Sequence, residues 1–238
     1  KLETLQEEVM ADTYGEIIGS AFRPQNRESV SLMVMRLLSM MPMAQVMPYL
    51  GNLMEDGPVT VRLEAVKYLC EQGFVPETNL RQKVEETING TIYNIGRLIA
   101  LQTEAEKNRH FILSGALCWE KNMYYELLFS LLSLTSGNAT AGMIKNYAVS
   151  GTTEGAGIAS EVIDTMITGS LRRPLQALLG HKSDRARLNE LSLCFPLRTV
   201  TGASLATMIL SSDQNITGVW TKACALHNSA RVGRGVNK

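Results

Sequence analysis

Val59–Gly73, VTVRLEAVKYLCEQG, reads as the second helix of a helical hairpin entered through the turn Asp56-Gly57-Pro58. Val61, Ala65, Val66, Leu69 and Cys70 recur at spacings of three and four and share one helical face, with Arg62, Glu64, Lys67 and Glu71 off it. One helix cannot bury such a stripe by itself. The pattern therefore calls for neighbours stacked on both sides, as in an array of repeated hairpins.

The chain keeps a hairpin rhythm on either side of this segment. Leu2–Ala21, marked by Leu5, Val9, Ile17 and Ile18, is expected to be an amphipathic helix closed at Arg23-Pro24, because proline lacks an N–H and disfavours helix in the residue before it. Arg27–Met41 follows, then Met43–Glu55, with Val46, Leu50 and Met54 at helical spacing and an interruption at Pro48. Val75–Thr103 is long for one repeat helix. It starts at Thr78-Asn79 and carries Leu80, Val84, Ile88, Ile92, Ile95 and Ile99 on one face. Gly90 and Gly96 each cost about 1 kcal/mol in a helix interior and point to a bend or a close helix contact. A polar turn, Glu104–Arg109, leads into apolar Phe111–Leu134, and the two long segments read as one antiparallel hairpin. After a linker at Thr135–Ala139, short helices resume at Ala141–Val149, Gly157–Ile167, Leu171–Leu179, Ser183–Cys194, Thr201–Leu210 and Gly218–Val232.

The 238 residues are 45% hydrophobic and 6% aromatic with 7 Pro, which suits packed helices and not disorder. The twelve Met are read as core or ordinary interface. Net charge is zero but uneven: ten basic against three acidic residues from Leu171 to Lys238 give +7 there and leave −7 elsewhere. Such asymmetry suits an anionic partner, a membrane surface or an acidic neighbouring domain as well as a solvated face. Cys70, Cys118, Cys194 and Cys224 lack CxxC spacing and read as buried free thiols in a reducing compartment. The triplets at Asn89, Asn138 and Asn215 are taken as chance, since no signal peptide accompanies them. Opening on Lys1 and closing on GRGVNK, the chain is expected to be a piece of a longer protein. Phe111–Leu134 carries Glu120, Lys121 and Glu126, and a charge at bilayer depth costs about 2.5–3.5 kcal/mol, so a soluble helix is expected there.

Catalytic patterns are missing from the sequence. His110, His181 and His227 have no acidic or cysteine partner at metal-ligand spacing, and there is no GxSxG, HExxH or P-loop. VSGTTEGAG has the small residues of a phosphate cradle without the Lys-Ser/Thr that follows one, and reads as a helix connection. Glu85-Glu86 and Glu7-Glu8 diverge by about 100° around a helix and cannot share a proton. Glu120 and Glu126 would need partners if buried, and with Lys121 beside them are expected at an exposed edge. The sharpest binding candidate is the basic elbow Arg172, Arg173, His181, Lys182, Arg185 and Arg187, where Ser183 is placed to cap the next helix.

YELLFSLLSL (Tyr125–Leu134), ASEVIDTMI (Ala159–Ile167), LRRPLQALL (Leu171–Leu179), CFPLRTVTGASLATMI (Cys194–Ile209) and VWTKACALHNSA (Val219–Ala230) together resemble the HEAT-repeat region of bacterial ATP/ADP translocase-like, major-facilitator-type membrane proteins. The resemblance implies a cytosolic α-solenoid beside a transporter-like domain and often next to a cyclic-nucleotide-binding domain. The chain has neither the transport helices nor the glycine-glutamate and arginine cassette of those domains, so no transport or nucleotide-binding residue carries over.

These readings converge on an all-α, HEAT/armadillo-like α-solenoid, a right-handed superhelix of hairpins with a longer central one. Residues 1–74 are expected to form N-terminal repeats, 75–135 the long hairpin and 136–238 C-terminal repeats. The expected role is a non-catalytic scaffold at the inner face of a membrane, binding a protein partner or adjoining domains, with no cofactor, metal or small-molecule substrate. Two alternatives remain: a nucleic-acid-binding solenoid using the basic C-terminal third, and an enzyme whose site uses His110 or Glu120 at the central hairpin.

Overall fold

A computed structural model describes residues 28–38, 43, 46–47, 50, 54, 57–180, 183–212 and 216–235. Among the described residues the fold is all-α, with no strand. Contacts divide the chain into two compact units, Lys1–Gly73 and Phe74–Lys238. The expected Leu2–Ala21 helix lies outside the described residues, as does most of Met43–Glu55.

In the first unit α1 (Glu28–Leu38) packs against α2 (Val59–Glu71). Pro58, whose ring holds φ at −56°, leads into α2, and its carbonyl accepts from the N–H groups of Val61 and Arg62. Gly73 ends the helix in the left-handed region at φ 63° with its N–H on the Cys70 carbonyl. Val61, Ala65, Val66 and Leu69 are buried as their spacing demands, and Val46, Leu50 and Met54 are helical and buried too. The one-stripe reading of α2 needs correction. Leu63, Tyr68 and Arg62 are also buried, and Arg62, which the spacing sets off the apolar face, is only 6% exposed. Its Nε donates to the Met54 carbonyl at 2.9 Å, so a backbone acceptor takes the place of water. Cys70 sits half-buried on the same helix, its thiol pushed up by burial and then by the charge of Glu71.

The second unit is organised by α3 (Thr78–Lys107) and α4 (Phe111–Ser136), which pack antiparallel along their length. Val84, Ile88, Ile92, Ile95 and Ile99 are each at most 1% exposed, and full burial of such a side chain contributes about 1.5–3 kcal/mol. The turn between the helices is tighter than the expected Glu104–Arg109 stretch, because α3 runs on to Lys107. Arg109 then takes φ 58° and lets the His110 N–H reach the Ala105 carbonyl at 2.8 Å.

The short helices follow in chain order: α5 (Asn138–Val149), α6 (Thr153–Met166), a 3-10 turn (Gly169–Leu171), α7 (Arg172–Leu179), α8 (Asp184–Ser192), α9 (Gly202–Leu210) and α10 (Val219–Gly235). From α4 through α8 each helix packs on the one before it, and α9 packs on α10. The chain also turns back on itself, with α7, α8 and α9 all reaching α3 and α10 reaching α4. In an open array repeats touch only their neighbours, so this return is an added layer of contact between distant elements. Gly96 permits part of it. A Cβ there would stand 3.2 Å from Leu191 Cδ1, and Leu197 is nearly as close, so the glycine marks a close helix contact; Gly90 faces open space.

Two expected connections are largely helical. The linker at Thr135–Ala139 shrinks to Gly137, at φ 85°, between α4 and α5. Most of SGTTEGA lies in α6, because Thr152 caps it, its Oγ1 accepting from the Gly155 N–H at 2.9 Å, with Glu154 in the first turn favoured by the helix dipole. A Cβ at Gly155 would overlap Ser150 Oγ and stand 2.7 Å from the Tyr147 carbonyl oxygen. Gly155→Ala is therefore expected to destabilise the second unit by about 1–3 kcal/mol despite alanine's better helix propensity, read as a lower urea midpoint. Among the described residues no helix is long and apolar enough to cross a membrane.

Candidate functional site

The basic elbow divides into paired and unpaired cations. Leu171, Leu175, Leu178 and Leu179 anchor α7 inward, which turns Arg172 and Arg173 outward in its first turn. Arg172 is in ion-pair contact with Asp164, near the end of α6, and Gln176 Nε2 donates to the same carboxylate at 3.1 Å. Arg173 has no partner among the described residues. Ser183 caps α8 as its position foretells, Oγ accepting from the Ala186 N–H at 3.3 Å. In the first turn of α8, Asp184 accepts from Arg187 Nη1 at 2.8 Å and lies 4.0 Å from Lys121 Nζ on α4. Arg187 is thus half-buried and paired, whereas Arg185 is exposed and has no partner among the described residues. His181 and Lys182 lie outside those residues.

Burial pushes the Tyr125 phenol on α4 up to about 12, with Arg187 pulling it down and Asp184 pushing it further up. An unfolded phenol ionises near 10, so above that pH the unfolded chain binds fewer protons than the folded one. Stability is thus lost as pH rises from about 10 towards 12. Tyr125→Phe should flatten this loss, which urea midpoints taken at pH about 9 and about 11 would show.

An open cleft of about 680 Å³ lies where α6, the 3-10 turn, α7 and α8 meet. Arg172, Arg173 and Gln176 line it from α7, Ser160 from α6, and Glu190 and Cys194 from the end of α8 and beyond. Glu190 is exposed and has no partner among the described residues. Among the described residues, the cleft so presents one free cation and one free carboxylate, besides an arginine already neutralised by Asp164.

Glu120 departs from expectation. It is 2% exposed, and its Oε1 accepts from the Gly218 N–H at 2.5 Å, where Gly218 immediately precedes α10. A side chain distant in sequence thereby caps a helix amino end, and its charge faces the positive pole of the helix dipole. It also lies close enough to raise the Cys224 thiol, though burial is the larger cause there. Lys121, expected to offset it, turns to Asp184 instead. Glu126 does keep an exposed edge and joins α4 to α5 through Lys145 at 2.7 Å. The spacing that hid Glu120 could have revealed it, since Leu113, Leu117, Glu120, Tyr124, Leu127 and Leu131 form one continuous stripe of buried residues.

His110 precedes the first turn of α4 and stands about 15 Å from Glu120 along that helix. Among the described residues no three His, Cys, Asp or Glu side chains gather as metal ligands would. The thiols Cys70, Cys118 and Cys194 are half-buried and Cys224 is buried, and all four are free. The Thr91, Thr140 and Thr217 members of the three Asn-x-Thr triplets are buried. No family model, no curated protein and no solved structure matches the chain.

Proposed function

We propose that the chain is a non-catalytic interaction or regulatory scaffold, a HEAT/armadillo-like array of hairpins that closes back on its long central hairpin. In this reading it is the cytosolic portion of a larger membrane-associated, transporter-like protein and docks an acidic protein segment or adjoining domain. The observation that carries it is the pair Arg173 and Arg185, both exposed and without partners among the described residues while Arg172 and Arg187 are neutralised nearby. An unpaired surface guanidinium needs little desolvation to meet a carboxylate, and its planar fork suits bidentate contact. Packing of successive helices in chain order supports the hairpin array.

The test is a pulldown from membranes of the source cell with the chain as bait and Arg173→Glu/Arg185→Glu as control. A transporter-like membrane protein or its attached domains should be recovered with the native chain and lost with the variant. Recovery of nucleic acid alone, weakening steeply with salt, would replace this reading with a phosphate-binding one.

A further inference from the structure

Arg173 and Glu190 line one cleft, from α7 and α8, each exposed and each without a partner among the described residues. Arg172, which lines the same cleft, is held by Asp164, and Gln176 buttresses the same carboxylate. The side chains that are fixed and the two that are free have different uses. The fixed group shapes the wall; the free pair is left to meet charges from outside. Arg173 also stands in the first turn of α7, where the helix dipole disfavours a cation and an incoming carboxylate would relieve it. Glu190, in the last turn of α8, faces the opposite end effect, which an incoming cation would relieve.

We infer that this cleft binds a mixed-charge segment of a protein partner, which sets an acidic side chain on Arg173 and a basic one on Glu190. The inference rests on the acidic-partner reading above and adds to it a basic residue at a fixed place. Charge complementarity of this kind selects a partner and its register more than it raises affinity. A uniformly acidic segment meets repulsion from Glu190, and a uniformly basic one from Arg173. Phosphate, with no cationic end, meets that repulsion too.

The experiment titrates the whole chain by calorimetry with three capped hexapeptides: alternating glutamate-lysine, all glutamate and all lysine. The alternating peptide should bind tightest. Arg173→Glu and Glu190→Arg should each weaken it by about tenfold, and the double variant, which exchanges the two charges, should recover most of that loss. Both positions are exposed, so circular dichroism should show all variants folded. If Glu190→Arg leaves the alternating peptide unaffected while hexaglutamate binds through Arg173 and Arg185, the mixed-charge assignment falls and the acidic-partner reading stands. If neither of those peptides binds, both fall. Displacement of the alternating peptide by free glutamate would reassign the cleft to a small zwitterion and overturn the peptide assignment.

Discussion

Glu120→Leu is expected to lower the stability of the second unit by about 2–3 kcal/mol, the order seen when a buried charge-assisted hydrogen bond is removed and its donor left behind. The donor here is the Gly218 N–H, one of the amino-end groups of α10 that no helical carbonyl can satisfy. Leucine fills the volume, so the loss measures the polar contact and not a cavity. Glu120→Gln should cost less, about 1 kcal/mol, because an amide oxygen can still accept from Gly218 while the charge that opposes the helix dipole is gone. Trp119 adjoins Glu120 and Trp220 lies in the first turn of α10, so fluorescence in a urea titration reports the joint itself. Equal midpoints for Glu120→Leu and the native chain would show that α10 is held by its apolar face alone.

The same residue shows where the sequence stops being readable. Periodicity exposed the long hairpin well, since the isoleucines of α3 and the leucines of α4 recur at helical spacing whatever surrounds them. The Ser183 cap is legible in the sequence, and so is the Pro58 turn that leads into α2. Thr152 was not read as a cap, because the glycines that follow it suggested a connection; its hydroxyl and the space around Gly155 decide for helix. Contacts between elements distant in the chain leave a weaker trace. The return of α7, α8 and α9 to α3 is foreshadowed only by Gly96, and the α10 cap only by a glutamate on an apolar stripe.

The elbow shows the same limit. Runs of basic residues look alike in sequence, yet Arg172 finds Asp164 eight positions back, and Arg187 shares Asp184 with Lys121 from another helix. Which cations remain free depends on those acidic partners and not on the local count of charge. Among the described residues of the six-residue candidate, Arg173 and Arg185 are the cations left unpaired, and Arg173 shares its cleft with Glu190.

Arg62 makes the strongest test in the first unit. Its position off the α2 stripe predicts a solvated side chain whose removal changes stability by less than about 0.5 kcal/mol. Burial predicts otherwise. At 6% exposure the side chain contributes its long apolar stem to the packing and its guanidinium to the Met54 carbonyl, so Arg62→Ala removes contact area and strips a carbonyl of a charged donor. A loss of about 3 kcal/mol is expected, which corresponds to roughly a hundredfold faster amide exchange across α2 if exchange there proceeds through unfolding of this unit. Both tryptophans lie in the second unit, so hydrogen exchange at residues 59–71 is the direct measurement. Arg62→Lys separates the two contributions: it keeps most of the stem and a positive donor but loses the planar Nε geometry, and should fall between alanine and the native residue. Exchange in Arg62→Ala within threefold of the native rate would restore the one-stripe description of α2 and make the Met54 contact incidental.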